Sequence, residues 1–77
     1  MMLKYSPTAD ALYLRLRPGE ISNTVEWFPD DDIYLDLDAD GRVLGVEFVN
    51  AGDFLTVLAR HDGQLEIPDR IEDIAAA

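Results

Sequence analysis

Ile33-Tyr34-Leu35-Asp36-Leu37-Asp38, then Ala39-Asp40-Gly41-Arg42, then Val43-Leu44-Gly45-Val46-Glu47-Phe48-Val49, is the stretch that decides how this chain folds. Its first six residues alternate strictly between apolar and polar, the period of a half-buried strand. Asp40-Gly41 is a strong type I′ hairpin signal. With those two residues at the corner, Leu37 faces Leu44, Leu35 faces Val46 and Ile33 faces Phe48. All six are apolar and share one face. A three-residue loop over 39–41 would put Asp36 and Asp38 on the face of Leu44, Val46 and Phe48. Burial selects between such registers, because a one-residue slip exchanges the two faces. The two-residue turn is therefore expected.

Upstream, Leu12, Leu14 and Leu16 alternate with Tyr13, Arg15 and Arg17, giving another half-buried strand. Pro18-Gly19 offers a tight turn after it, with proline fixing φ and glycine supplying positive φ. A hairpin about that turn pairs Leu16 with Ile21, Leu14 with Asn23 and Leu12 with Val25. Between the two hairpins, Pro29-Asp30-Asp31-Asp32 reads as a loop. After Val49 the period changes to that of a helix. Asn50 is a candidate cap with Asp53 three positions on, Phe54, Leu55, Val57 and Leu58 form the apolar stripe, and Gly63 is placed to end it. A third hairpin, pairing 54–60 with 64–67 around Asp62-Gly63, is the competing reading. Leu65, Ile67, Ile71 and Ile74 make a short apolar tail that packs on the domain or on a second copy, and Ala75-Ala76-Ala77 is expected to fray.

The fold class that follows is α+β: a four- to five-stranded antiparallel sheet, counting residues 3–5, with one helix packed on its apolar face. One layer of sheet and one of helix is a stable two-layer solution. The other face is polar and aromatic, with Tyr13, Arg15, Thr24, Tyr34, Asp36, Val43 and Glu47. Seventy-seven residues suffice for a single domain over 1–77, in which 52–77 supply the helix and tail.

So short a chain buries little more than ~60% of the surface its unfolded form exposes. It has no cysteine and one histidine, His61, which excludes disulfides and thiolate metal sites and leaves oligomerisation as the remaining staple. A homodimer is expected. Sixteen acidic residues against six basic ones give a net charge of −10, a surface that repels nucleic-acid phosphates. The charge serves solubility, or draws a basic partner such as a nucleic-acid-binding protein. The opening residues carry no signal-peptide pattern and no run is apolar enough to span a membrane, so a cytoplasmic location is expected.

Asp36-Leu37-Asp38-Ala39-Asp40-Gly41, followed by Glu47, satisfies the calcium-loop pattern letter for letter. That pattern needs a flanking helix on each side, whereas both flanks here alternate with strand period. Weak calcium or small-ligand binding through Asp36, Asp38 and Glu47 is thus a secondary reading, and no cofactor or metal is expected. Catalytic residues are not expected either: His61 beside Asp62 suits a helix C-terminus, and Ser6 and Ser22 have no base nearby in sequence. The candidate binding set is the polar face itself, with Arg15 beside Asp36 or Glu47, and Tyr13 and Tyr34 as aromatic walls. Asp10, Asp40 and Gly41 are expected to make turns.

Tyr5-Ser6-Pro7-Thr8-Ala9-Asp10-Ala11-Leu12-Tyr13-Leu14-Arg15-Leu16 resembles the opening of the YuzE-like family of small prokaryotic proteins of unknown function, Y-x-P-x-A-D-A-L-Y-x-x-L. The acidic strand, Asp40-Gly41 and Gly45-Val46-Glu47-Phe48 continue the likeness, which runs over residues 4–51. The resemblance implies a sheet-plus-helix domain and, in some genomic settings, proximity to small toxin-like genes. It implies no activity and no functional residues to carry over. The function expected is a small acidic interaction module, non-catalytic and homodimeric. The alternative is an acidic inhibitor or antitoxin-like partner of a basic protein.

Overall fold

In a computed structural model, which describes residues 1–72, five strands form one antiparallel sheet. They are β1 (Met2–Ser6), β2 (Ala11–Arg15), β3 (Asn23–Phe28), β4 (Ile33–Leu37) and β5 (Val43–Val49), in the spatial order β1-β2-β5-β4-β3. The 3-10 turns Pro29–Asp31 and Ala51–Asp53 precede β4 and the helix α1 (Phe54–Arg60) respectively. The α+β expectation holds, and α1 excludes the third hairpin. No helix among the described residues is long and apolar enough to cross a membrane. Ile74 and residues 75–77, assigned above to the tail and a frayed end, lie outside the described residues.

The alternating stretch behaves as its period dictates. Ile33, Leu35, Val43 and Val46 are fully buried, each contributing about 1.5–3 kcal/mol of transfer free energy. Phe48 meets Phe54 of α1 edge-on, with ring centroids 5.0 Å apart. Val57 is the helix residue that enters the core, while Leu55, read above as part of the stripe, is 77% exposed. A seven-residue helix presents barely two turns, too few for four anchors on one line. Asn50 does not cap it. It stands at φ +62° and its amide donates to Asp32 Oδ2 at 2.7 Å. Gly63 does close the helix, at φ +81°, its N–H reaching Leu58 O at 2.9 Å.

Two pairings differ from the sequence reading. In the first, β2 and β3 do not form a hairpin. Instead β2 lies between β1 and β5, and β3 pairs with β4, Val25 facing Leu35 and Asn23 facing Leu37. The link 16–22 runs along one end of the sheet, tied by Leu16 N–H to Leu44 O and Ser22 N–H to Leu37 O, each 2.8 Å. Moving β2 beside β5 sets Leu12 against Phe48 and Leu14 against Val46, extending the apolar face beyond what a β2–β3 pair offers.

In the second, the β4–β5 connection is a three-residue loop. Gly41 N–H reaches Asp38 O at 3.1 Å and Asp38 N–H reaches Arg42 O at 3.0 Å, and of Asp40 and Gly41 only Gly41 has positive φ, +80°. That is a type I turn closed by a left-handed glycine, the common three-residue hairpin. Ile33–Phe48 and Leu35–Val46 pair as expected, but Leu37 faces Val43 in place of Leu44. A bulge at Leu44 absorbs the extra residue and restores the apolar register. Val43, placed above on the polar face, is therefore in the core.

The described part of the tail packs on its own domain. Val43 N–H donates to Asp69 O and Ile71 N–H to Gly41 O, both at 2.9 Å, and Leu65, Ile67 and Ile71 cover the core beside α1.

Candidate functional site

Helix and tail both take the apolar face, which leaves the other face of the sheet polar. Strand registers draw two transverse rows across it. Lys4, Tyr13, Glu47, Tyr34 and Glu26 form one, and Met2, Arg15, Gly45, Asp36 and Thr24 the other. All five residues of the candidate binding set thus share this face, as the alternation required.

Their chemistry is inward. Gly45 has no side chain, and the Tyr13 phenol folds into the space, its Cζ only 2.7 Å from where a β-carbon would stand. The Tyr13 hydroxyl accepts from Arg15 Nη1 at 3.4 Å and lies within the influence of the Asp36 carboxylate. Asp36 also accepts from Thr24 Oγ1 at 2.6 Å. Burial pushes the phenol above its usual range, with the Arg15 hydrogen bond opposing and the Asp36 carboxylate reinforcing. Arg15 spends its other donors on the link, Nε on Arg17 O at 2.9 Å and Nη2 on Gly19 O at 2.5 Å. Arg15, Tyr13, Asp36 and Thr24 are thus a buckle that ties the 16–22 link to the sheet. Tyr34 and Glu47 lie beside the buckle in the neighbouring row.

The calcium-loop carboxylates are not brought together. Asp38 Oδ1 accepts the N–H groups of Asp40 and Arg42, each at 2.9 Å, and Asp36 is held by Thr24. Glu47 sits two positions beyond the Asp36 partner along β5. Among the described residues no group of three or more metal-ligating side chains converges.

Asp40 and Gly41 stand in the β4–β5 turn as expected. Asp10 has a longer reach than a turn needs. At φ +50° it occupies the left-handed region, and its carboxylate accepts Gly52 N–H at 3.1 and 3.3 Å and the Tyr5 hydroxyl at 3.2 Å. Its carbonyl accepts Ala51 N–H at 2.8 Å. Tyr5, not Tyr13, is its aromatic partner, and Asp10 pins the start of the helical segment to the β1–β2 turn.

Two features escaped the sequence reading. Asp31 is one: it takes His61 Nε2 at 2.9 Å and the Arg60 guanidinium, latching the end of α1 to the β3–β4 loop. These bonds, His61 first, hold its carboxyl below the usual value. The other is the pair of sheet edges. On the β1 edge, Met2, Leu3 and Tyr5 are 51%, 67% and 53% exposed. β3 forms the opposite edge.

A family described as a protein of unknown function (DUF2283) matches residues 2–51. The chain belongs to that family. The DUF2283 portion holds all five strands and the buckle and ends on Ala51, whose N–H the Asp10 carbonyl holds, while Gly52 and α1 lie beyond it. No curated protein and no solved structure matches the chain. The family's description names no activity.

Proposed function

We propose that this DUF2283 protein is a non-catalytic interaction module that pairs with a second copy of itself along β1. The observation that carries the reading is the exposed, apolar β1 edge, on which Leu3 and Tyr5 project on the core side opposite Leu14 and Leu12 and no second strand pairs among the described residues. An exposed apolar edge strand is a template for another strand. Charge favours this edge for self-association. Residues 1–9 contain Lys4 and no carboxylate, in a chain of net charge −10. Antiparallel pairing of two β1 strands about a twofold axis joins two five-stranded sheets into one. The polar buckle is internally satisfied and stiffens the platform. The likeness of the opening motif to the YuzE-like family is part of this proposal.

Light scattering on tag-free protein across a dilution series tests it. The expected result is a dimer mass for the native chain and a monomer mass for Leu3→Glu, which sets two like charges near the axis. A native chain that stays monomeric at high micromolar concentration overturns the reading.

A further inference from the structure

The opposite edge of the sheet has the opposite character. Residues 20–32 hold Glu20, Glu26, Asp30, Asp31 and Asp32 and no lysine or arginine. β3 borders the sheet there, and among the described residues only β4 pairs with it. The register breaks between Glu26 and Phe28, and two consecutive aromatic residues, Trp27 and Phe28, pack on the core side. They line an open groove of about 630 Å³ together with His61, Asp62, Leu65 and Glu66. Trp27 and Phe28 rings lie 4.6 Å apart, and Phe28 and His61 rings 4.5 Å apart. Arg60, which also borders the groove, is neutralised by Asp31.

We propose that the β3 edge and this groove take an extended basic segment of another protein. Its backbone adds as a strand beside the regular part of β3, ahead of the break. An apolar side chain enters beside Phe28 and Leu65, basic side chains on the same side of the segment lie against Trp27, Asp62 and Glu66, and basic side chains on its other side lie against Glu26 on the polar face. Strand addition supplies affinity through main-chain hydrogen bonds, and pockets for alternate side chains supply selection. An aromatic face beside carboxylates favours a cation on both counts. A second copy of this chain is a poor occupant, because its −10 charge opposes approach to an acidic edge. Nucleic acid is excluded by the same sign. The site is separate from β1 and independent of dimer formation.

Trp27 is the only tryptophan, so its fluorescence reports the groove directly. The probe is a short synthetic lysine-rich peptide with a central leucine, titrated into the full chain and into the Leu3→Glu variant. A saturable change in Trp27 emission is expected in both. Affinity should fall roughly tenfold or more in a Glu26→Lys, Glu66→Lys double variant, the loss typical of reversed rim charges. Both are exposed positions, so the fold survives the change. The same peptide N-methylated at alternate backbone nitrogens should bind much more weakly. Unchanged emission, equal binding of the methylated peptide, or equal binding of a glutamate-for-lysine peptide each overturns the proposal. None of these outcomes bears on the β1 dimer, which the mass measurement decides.

Discussion

The Tyr13 phenol occupies the space that a side chain at position 45 would fill, with its Cε1 3.0 Å and its Cζ 2.7 Å from an ideal β-carbon on Gly45. These two residues sit on adjacent strands, Tyr13 opposite Glu47 and Gly45 opposite Arg15, so the ring crosses the strand diagonally. Only glycine permits so close an approach. Gly45→Ala should therefore destabilise the fold by about 1–3 kcal/mol through overpacking. Urea unfolding reads the loss. Combining it with Tyr13→Ala should give a coupling of the restoring sign, because the ring that clashes is gone.

The latch between α1 and the β3–β4 loop has a pH signature. Asp31 is held below its ordinary value of 3.8 by His61 first and by Arg60 second. A depressed carboxyl contributes stability that is full above its unfolded value and lost as pH falls through the folded one. The native chain should accordingly exceed Asp31→Asn in urea midpoint at neutral pH, and the gap should close in acid below the folded value. His61→Gln should move the Asp31 titration, followed by carboxyl-carbon NMR, upward. An Asp31 midpoint indifferent to position 61 would show that the latch does not hold the carboxylate in solution.

How much of this was legible beforehand depends on the range of the forces involved. Period-two patterning is local and strong, so β2, β4 and β5 and the faces of Tyr13, Arg15, Tyr34, Asp36 and Glu47 could be read directly. Partner choice is not local. On paper Leu16 and Leu12 pair with Ile21 and Val25 and only Leu14 meets a polar partner, Asn23, whereas in the fold Leu12 and Leu14 meet Phe48 and Val46. Only the completed sheet shows that the second choice covers more apolar surface. The β4–β5 turn misled for a different reason. A three-residue loop looked forbidden because it reverses the faces, and the bulge at Leu44 reverses them back. Gly45 inside a strand was the visible hint of a close approach, and nothing in the sequence said that Tyr13 made it.

Two glycines with nearly the same backbone separate strain from crowding. Gly41 and Gly63 have φ of +80° and +81°. A β-carbon at 41 meets Ile71 Cγ2 at 2.9 Å, whereas at 63 it meets nothing within 4 Å. Gly63→Ala should cost about 1–2 kcal/mol, the penalty of a left-handed L-residue. Gly41→Ala should cost more, since it also displaces the tail at Ile71. Differential scanning calorimetry ranks the two, and equal losses would mean that the tail yields without resistance.

Asp10 combines two demands that substitutions can pull apart. Its φ of +50° favours asparagine, aspartate or glycine, and its carboxylate holds Gly52 N–H and the Tyr5 hydroxyl. Asparagine keeps the backbone tolerance and one acceptor oxygen. Glycine keeps only the backbone tolerance, and alanine keeps neither. If the clasp to the helical segment matters, stability should fall in the order Asp, Asn, Gly, Ala, with about 1–3 kcal/mol between Asp and Gly for the lost acceptor. If Asp10 serves the turn alone, Gly should match Asp and only Ala should fall. The Gly variant therefore decides the case: a loss there, accompanied by faster hydrogen exchange at Gly52, assigns Asp10 to holding 51–52 against the β1–β2 turn.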